Sequence, residues 1–251
     1  MSYTADNLPQ NKHYFFDRHG GVSRGKYASL NASLHSLDVC DNIFKNLEIA
    51  ANHYRQPLQN LAILTQGVSN HAVYVAQPSQ YQISADGMVT NKSDIILALR
   101  TADCAPVLFY DHKNKIIGAA HAGWRGALHG IIENTLNLML SLGAEKKHIA
   151  AAVGPCLQKI SFFCQKDMYQ EFLQTDSLYQ KFFTIQDDIH WLFDAEKFCV
   201  HRLHEYGIES IEASGINTYT DENYFSYRRS CHQNLVTVPR DFPSHLSTIM
   251  L

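Results

Sequence analysis

Residues 101–126 constrain the fold more than any other part of the chain, because they predict a β-hairpin with reactive side chains at its two ends. The sequence TADCAPVLFYDHKNKIIGAAHAGWRG contains two apolar segments, 107–110 and 116–120, separated by a polar turn. This pattern is typical of two strands joined by a short connection. Cys104 precedes the first strand and His121 follows the second, so the hairpin would bring the two side chains together.

Cys104 and His121 carry the ligand types that zinc prefers, a thiolate and an imidazole. A third protein ligand and an open coordination position would make a catalytic zinc site. Two alternatives stay open at this point. One is a pair of ordinary core residues, and the other is a cysteine nucleophile activated by a histidine base.

The segment after His121 predicts an anion-binding turn. Gly123 and Gly126 bracket Trp124 and Arg125, and a helix is expected to follow. Backbone N–H groups, the helix dipole and a guanidinium would then converge, and the glycines would let a ligand approach the backbone. The alternative is a structural turn in which Arg125 pairs with an acid.

Apolar spacing elsewhere predicts a mixture of helices and strands. The clearest of these elements are the helices 128–142 and 194–206 and the strands 95–99 and 246–251. The Asp-Gly dipeptide at 86–87 predicts a turn. Because strict β-α-β alternation is absent before residue 126, the sequence predicts the α+β class, with mixed β-sheets flanked by helices in a single domain over residues 1–251.

Composition and charge narrow the class of protein. A net charge of −3 argues against electrostatic binding of nucleic acid. The polar N-terminal residues lack the apolar core of a signal peptide, and no apolar run reaches the roughly 20 residues of a membrane helix. The six cysteines form no C-x-x-C pair and are expected to be free thiols. We therefore expect a cytoplasmic protein without nucleic-acid or membrane partners.

Six short motifs occur together along most of the chain. In chain order they are R-H-G-G-V-S at 18–23, S-L-N at 29–31, T-A-D-C at 101–104, A-A-H-A-G-W-R-G at 119–126, G-P-C at 154–156 and F-S-Y-R-R at 225–229. The combination resembles the laccase-domain family, also called multicopper polyphenol oxidase or YfiH-like. The resemblance implies an α+β fold and a zinc-dependent purine nucleoside phosphorylase acting on adenosine, inosine, guanosine and methylthioadenosine, with adenosine deaminase activity.

The resemblance also sets expectations about ligands and assembly. Purine nucleosides and phosphate are the expected partners, and the protein is expected to be a monomer or a homodimer. Copper-dependent phenol oxidation is disfavoured because multicopper sites need histidines in close pairs, and the chain has no H-x-H sequence.

A His-Cys-His zinc site is implied by the same resemblance. Cys104 matches its cysteine and His121 its second histidine, but Val68 occupies the position of the first histidine, and His71 lies three residues later. On a strand such a shift reverses the face, whereas a loop or bulge would let His71 act as the third ligand. The expected cofactor is Zn²⁺, at a site that Val68 leaves incomplete unless His71 completes it. An impaired site would leave a nucleoside-binding protein with little catalysis.

Other site residues are expected around Cys104 and His121. Asp103 is either a catalytic acid that moves a proton or a turn-capping residue. The purine base would stack on Tyr227 or Trp124. The residues expected to hold phosphate, ribose or base are Arg18, Asn31, Arg125 and Arg228.

Overall fold

Short strands outnumber helices in the described part of the chain, and the last element is a strand. The computed structural model describes residues 2–78, 80–187 and 189–251. Its strands are β1 (His13–Phe15), β2 (Leu61–Thr65), β3 (Ala72–Tyr74), β4 (Gln80–Ser84), β5 (Gly87–Thr90), β6 (Ile96–Thr101), β7 (Ala105–Asp111), β8 (Ile116–Ala122), β9 (Ile149–Val153), β10 (Phe163–Gln165), β11 (Phe183–Ile185), β12 (His190–Phe193), β13 (Ser210–Ala213) and β14 (His245–Ile249). Its helices are α1 (Cys40–Asn52), α2 (Trp124–Leu128), α3 (Ile131–Ser141), α4 (Lys166–Thr175), α5 (Ala195–Tyr206) and α6 (Tyr227–His232).

The predicted hairpin is confirmed and forms the middle of the largest sheet. Strands β7 and β8 pair antiparallel from Ala105 opposite Ala122 to Asp111 opposite Ile116. They are the central strands of a six-stranded sheet with the order β13-β9-β7-β8-β5-β3. Every residue of both strands is buried, so the sheet is covered on both faces.

The two faces of β7 belong to two different hydrophobic clusters, as the alternation of side chains along a strand requires. Val107 and Phe109 pack with the cluster that includes residues of α3 and α5. Leu108 packs with Leu97 and Leu99 of β6, which lie in a second sheet of order β1-β14-β6-β2-β4. A third sheet, β10-β12-β11, has three strands. Parallel and antiparallel pairs are mixed, which confirms the α+β class with mixed sheets.

The predicted helix over 128–142 is divided into two. Helix α2 ends at Leu128 and α3 begins at Ile131, because Gly130 takes a left-handed conformation with φ +94°. The apolar stripe continues across this break, which is why periodicity alone predicts one helix. The helix predicted over 194–206 is confirmed as α5, and Gly207, with φ +93°, ends it.

The strands predicted at 95–99 and 246–251 are confirmed as β6 and β14, which are neighbours in one sheet. All six cysteines are free, in agreement with the absence of paired spacing. Among the described residues, no helix combines the length and the apolar character needed to cross a bilayer.

Candidate functional site

The open end of the β7–β8 hairpin brings Cys104 and His121 together. Cys104 directly precedes β7, and His121 lies on β8 opposite Pro106. The buried imidazole of His121 interacts electrostatically with Cys104, and both side chains line one cavity. The pairing register of the hairpin therefore sets the distance between the two side chains.

Asp86 is the third member of this cluster and carries no signal in the sequence beyond its Asp-Gly turn dipeptide. It lies between β4 and β5 and is fully buried. Its Oδ1 lies 2.7 Å from Nδ1 of His121. Because Nδ1 is engaged by the carboxylate, Nε2 is the ring nitrogen left for Cys104 or for a ligand.

The cluster holds its charges as an ion pair. Burial opposes the charged form of His121, but the electrostatic interaction with Cys104 and the hydrogen bond with Asp86 raise the pKa of the imidazole to about 9. Burial alone would raise the pKa of Asp86, but its hydrogen bond and ion pair with His121 lower it to about 2, with Ser69 assisting. His121 is therefore an imidazolium near pH 7, balanced by a carboxylate.

The carboxylate of Asp86 also fixes the loop that follows β2. It accepts hydrogen bonds from the backbone N–H groups of Gly67, Val68 and Ser69, and from the Ser69 hydroxyl at 2.6 Å. Val68 is held there with φ +60°, a left-handed conformation that is a genuine outlier for a β-branched residue. Four donors on one buried carboxylate stabilise this strained backbone.

Val68 lies next to Cys104 at the position where the family resemblance places a histidine ligand. A Cβ added to Gly123 would lie 2.6 Å from Cγ1 of Val68 and 3.3 Å from Sγ of Cys104. The methyl groups of Val68 and the thiol of Cys104 therefore meet over Gly123. Gly123 has to lack a side chain because these groups fill the space beside it.

His71 does not join the pair. Its exposed ring lies beside the carbonyl oxygen of Ser84, with Nδ1 at 3.3 Å. Its own carbonyl accepts the N–H groups of Asp86 and Gly87, which fixes the backbone at the start of β3. The hydrogen bonds from residues 67–69 to the Asp86 carboxylate thus place Val68, and not His71, beside Cys104.

The donor set fits a three-ligand catalytic zinc only in part. Cys104 and His121 are suitable donors, and the hydrogen bond from Asp86 to the far nitrogen of His121 is the usual support of a zinc-bound histidine. The third position holds the apolar side chain of Val68. Within residues 2–78, 80–187 and 189–251, no group of three His, Cys, Asp or Glu side chains is placed to hold a metal ion. Zinc binding by Cys104 and His121 stays a prediction.

Two cavities share Cys104 as a lining residue. The first, here called the arginine cavity, has a volume of about 310 Å³, and its walls include His35, Val68, Arg100, Cys104, His121 and Arg240. The second, here called the aromatic cavity, has a volume of about 210 Å³, and its walls include Asp103, Cys104, Trp124, Phe162, Tyr227 and Arg228. Cys104 lines both cavities, so ligands in the two would meet at its thiol.

Asp103 makes the contacts of a capping residue. Its carboxylate accepts hydrogen bonds from the Thr218 hydroxyl and the Arg228 backbone N–H, each at 2.7 Å. The second bond anchors the first turn of α6. Burial raises the pKa of Asp103, although the hydrogen bonds from Arg228, Ser226 and Thr218 act against this rise. Of the two roles expected from the sequence, the capping role matches these contacts.

All the hydrogen-bonding groups of the Asn31 side chain are used inside the protein, contrary to its expected contact with ribose or base. Its amide nitrogen donates to Ser36 and Asp38, and its oxygen accepts from the N–H groups of Ser33 and Ser244. A carboxamide has two N–H donors and one oxygen with two lone pairs, and all are used here. Asn31 therefore positions the loop around Ser244, which lines the arginine cavity.

The three arginines expected at the site have different environments. Arg125 stacks on Trp124, with 4.0 Å between the guanidinium carbon and the ring centroid, and it lines neither cavity. Arg18 donates to the carbonyl of Ala28 and lies over the ring of Phe225, away from both cavities. Arg228 lines the aromatic cavity. The basic residues that face the arginine cavity are Arg100 and Arg240, which sequence reasoning missed.

Comparison with known proteins connects this site to a family. Residues 12–235 match the family model described as multi-copper polyphenol oxidoreductase laccase. A purine nucleoside phosphorylase of Rickettsia prowazekii is 33% identical over 223 residues, covering 88% of this chain and 89% of that protein. The purine nucleoside phosphorylase YfiH of Escherichia coli is 32% identical, with 84% and 86% covered. A crystal structure of a Neisseria meningitidis protein superposes with a TM-score of 0.86 at 28% identity, covering 100% of this chain and 98% of that one.

Replacing Val68 by histidine tests whether the third position controls metal binding. Histidine adds a nitrogen donor beside Cys104, and it tolerates a positive φ better than valine does. We expect Val68→His to retain about one zinc per chain after dialysis against a weak chelator, and the natural protein to retain far less. Elemental analysis measures the metal content, with Val68→Ala as the control that removes the methyl groups without adding a donor. A natural protein that already retains a full equivalent of zinc would contradict this assignment.

Replacing Asp86 by asparagine tests the ion pair. Asparagine keeps the shape but removes the charge that His121 and the loop amides require, so we expect a loss of about 2–4 kcal/mol in the free energy of unfolding at pH 7. Because the folded-state pKa of Asp86 is about 2, below its unfolded value, its contribution is present above about pH 4 and is lost as the pH falls toward 2.

Urea denaturation between pH 7 and pH 3 measures this difference, with Asp94→Asn as a control at an exposed loop position. The difference in the free energy of unfolding between the natural protein and Asp86→Asn should be largest near neutral pH and should decrease in acid. If this difference is absent at pH 7, or if it increases in acid, the carboxylate does not stabilise the cluster.

Proposed function

This chain belongs to the family described as multi-copper polyphenol oxidoreductase laccase, and from that premise we propose that it is a purine nucleoside phosphorylase. In this reaction a phosphate oxygen forms a bond to C1′ of the ribose while the bond between C1′ and the purine nitrogen breaks. The purine leaves with the bonding electrons and takes up a proton. The products are ribose 1-phosphate and the free base.

The observation that carries this proposal is that Cys104 lines two cavities of different character, one of which is also lined by His121. The aromatic cavity offers the rings of Trp124, Phe162 and Tyr227, and aromatic side chains bind purines by stacking. The arginine cavity offers basic side chains. A reaction between a nucleoside and an anion needs a binding site for each reactant, and the two sites have to adjoin.

The side chains of His121 and Asp86, beside Cys104, are suited to proton transfer. His121 carries a proton near neutral pH, and Asp86 holds the ring so that Nε2 points away from the carboxylate. An imidazolium in this position would donate a proton to the departing purine as its electrons leave C1′. Because the residues present supply only two zinc donors, each step of the phosphorolysis is assigned to protein groups.

Adenosine, inosine, guanosine and methylthioadenosine are the proposed substrates. Stacking on aromatic rings discriminates weakly among purines, so several bases fit one aromatic cavity. Adenosine deamination is the further proposed activity. It needs an activated water, which zinc at Cys104 and His121 would supply when bound.

A second candidate function is favoured by the geometry of Asp86. The order Cys104, His121, Asp86 matches a thiol nucleophile, a base and an acid that orients the base. Such a triad would make the protein a cysteine hydrolase, which would need no phosphate. A third candidate, a nucleoside-binding protein with little turnover, is favoured by Val68 at the third ligand position.

Variants of Cys104 and His121 distinguish the three candidate functions. We expect His121→Gln to lower kcat/KM for inosine phosphorolysis by at least about 100-fold, because proton transfer by a positioned group contributes on this scale. Cys104→Ser should lower it as well, because Cys104 lines both cavities and interacts with His121. Release of hypoxanthine measures the rate, and Cys40→Ser is the control because Cys40 is an exposed thiol at the start of α1.

Direct measurement of inosine affinity completes this test. A natural protein that binds inosine but does not cleave it would favour the nucleoside-binding candidate. Cleavage at an unchanged rate in Cys104→Ser and His121→Gln would place the reaction elsewhere in the molecule.

A further inference from the structure

We propose that the arginine cavity is a phosphate subsite, in which Arg100 and Arg240 bind inorganic phosphate or the phosphate group of ribose 1-phosphate beside Cys104 and His121. This assignment rests on the proposed phosphorylase function and gives the second substrate its own binding residues. It assigns phosphate binding to residues other than Arg18, Arg125 and Arg228, which were expected from the sequence, because none of these three lines the cavity.

Arg100 provides a fixed charge in one wall. It lies on β6 and is only 8% exposed. The side chain of Gln66 exchanges two hydrogen bonds of 2.9 Å with the Arg100 backbone, and Nη2 of Arg100 donates to the carbonyl of Leu64 at 3.2 Å. The bond from Nη2 to Leu64 restrains the guanidinium, so less conformational entropy is lost when it binds an anion.

Arg240 provides a charge from a different part of the chain. It is exposed and lies in the loop before β14, with φ +67°. Its carbonyl accepts the N–H of Phe242, and Phe242 and Ser244 also line the cavity. The amide oxygen of Asn31 accepts the N–H of Ser244 at 3.1 Å, so the buried Asn31 supports this loop.

The charges around the cavity favour an anion as ligand. No Asp or Glu is among the described residues that line it, although the whole chain has a net charge of −3. His35 lies at the same cavity, and burial together with the positive charges of Arg100 and Arg240 lowers the pKa of its ring. Both guanidiniums therefore act on one location. Guanidinium groups bind phosphate oxygens through pairs of N–H donors, which makes phosphate the matching ligand class.

The location of this subsite agrees with the chemistry of the proposed reaction. Phosphate in the arginine cavity and a purine in the aromatic cavity would each lie beside Cys104, which lines both cavities. The ribose would then lie between the phosphate and the base, next to Cys104.

Arg240→Gln tests the subsite directly. Arg240 is exposed, so its replacement leaves the core intact, and Arg24→Gln is a matched control at another exposed arginine that lines neither cavity. We expect calorimetry to show about 10–100-fold weaker binding of inorganic phosphate to Arg240→Gln, with the control unchanged. The KM for phosphate should rise by a similar factor while the KM for inosine stays within about twofold.

A second variant and a second ligand complete the test. Arg100→Lys keeps the buried charge but loses the two-pronged donor geometry, and we expect about tenfold weaker phosphate binding. Ribose 1-phosphate is titrated in the same way, so that a subsite for inorganic phosphate is distinguished from one for the sugar phosphate alone. Binding of both ligands at natural affinity in Arg240→Gln and Arg100→Lys would overturn the proposal.

The experiments distinguish an error in the phosphate subsite from an error in the proposed function. If phosphate binds and depends on Arg240 but no nucleoside is cleaved, the subsite stands and the phosphorylase assignment falls. If inosine phosphorolysis proceeds with an unchanged KM for phosphate in both variants, the phosphorylase stands and the subsite is wrong.

Discussion

The buried carboxylate of Asp86 is the contact on which the candidate site depends. It fixes the ring of His121 on one side and accepts the backbone N–H groups of residues 67–69 on the other. One charged group thus joins the central hairpin to the loop after β2. The pKa of Asp86 falls to about 2 through its interaction with His121 and the hydrogen bonds from Ser69. The pKa of His121 rises to about 9 through Cys104 and Asp86, against the effect of burial.

The same hydrogen bonds to Asp86 determine which side chain lies beside Cys104. It holds residue 68 in a left-handed conformation, which valine tolerates poorly, and it leaves His71 three residues away with its ring on the carbonyl of Ser84. The backbone of this loop therefore presents position 68 to the site whatever its side chain. In this chain the side chain is apolar, so the proposed chemistry relies on the imidazolium of His121 and on the charges of the arginine cavity.

Much of the fold and part of the site could be predicted from the sequence, because local patterns determine them. Two apolar segments and a polar turn are enough to predict the hairpin that joins Cys104 to His121, and apolar spacing is enough to predict α5. Asp86 could not be identified, because its partner is 35 residues away and an Asp-Gly dipeptide indicates only a turn. Arg240 belongs to an irregular loop with no periodic signal. Asn31 has the right chemistry for a ligand contact, but tertiary packing uses all its hydrogen-bonding capacity.

In the proposed reaction, phosphate in the arginine cavity attacks the ribose of a purine nucleoside beside Cys104 and His121. Phosphorus NMR of the protein incubated with inosine and phosphate tests this most directly, because the identity of the product reports which nucleophile attacks C1′. Phosphorolysis predicts a ribose 1-phosphate signal that grows in proportion to the hypoxanthine released. Hypoxanthine released with free ribose and no new phosphorus signal would contradict it, because water and not phosphate would then be the nucleophile.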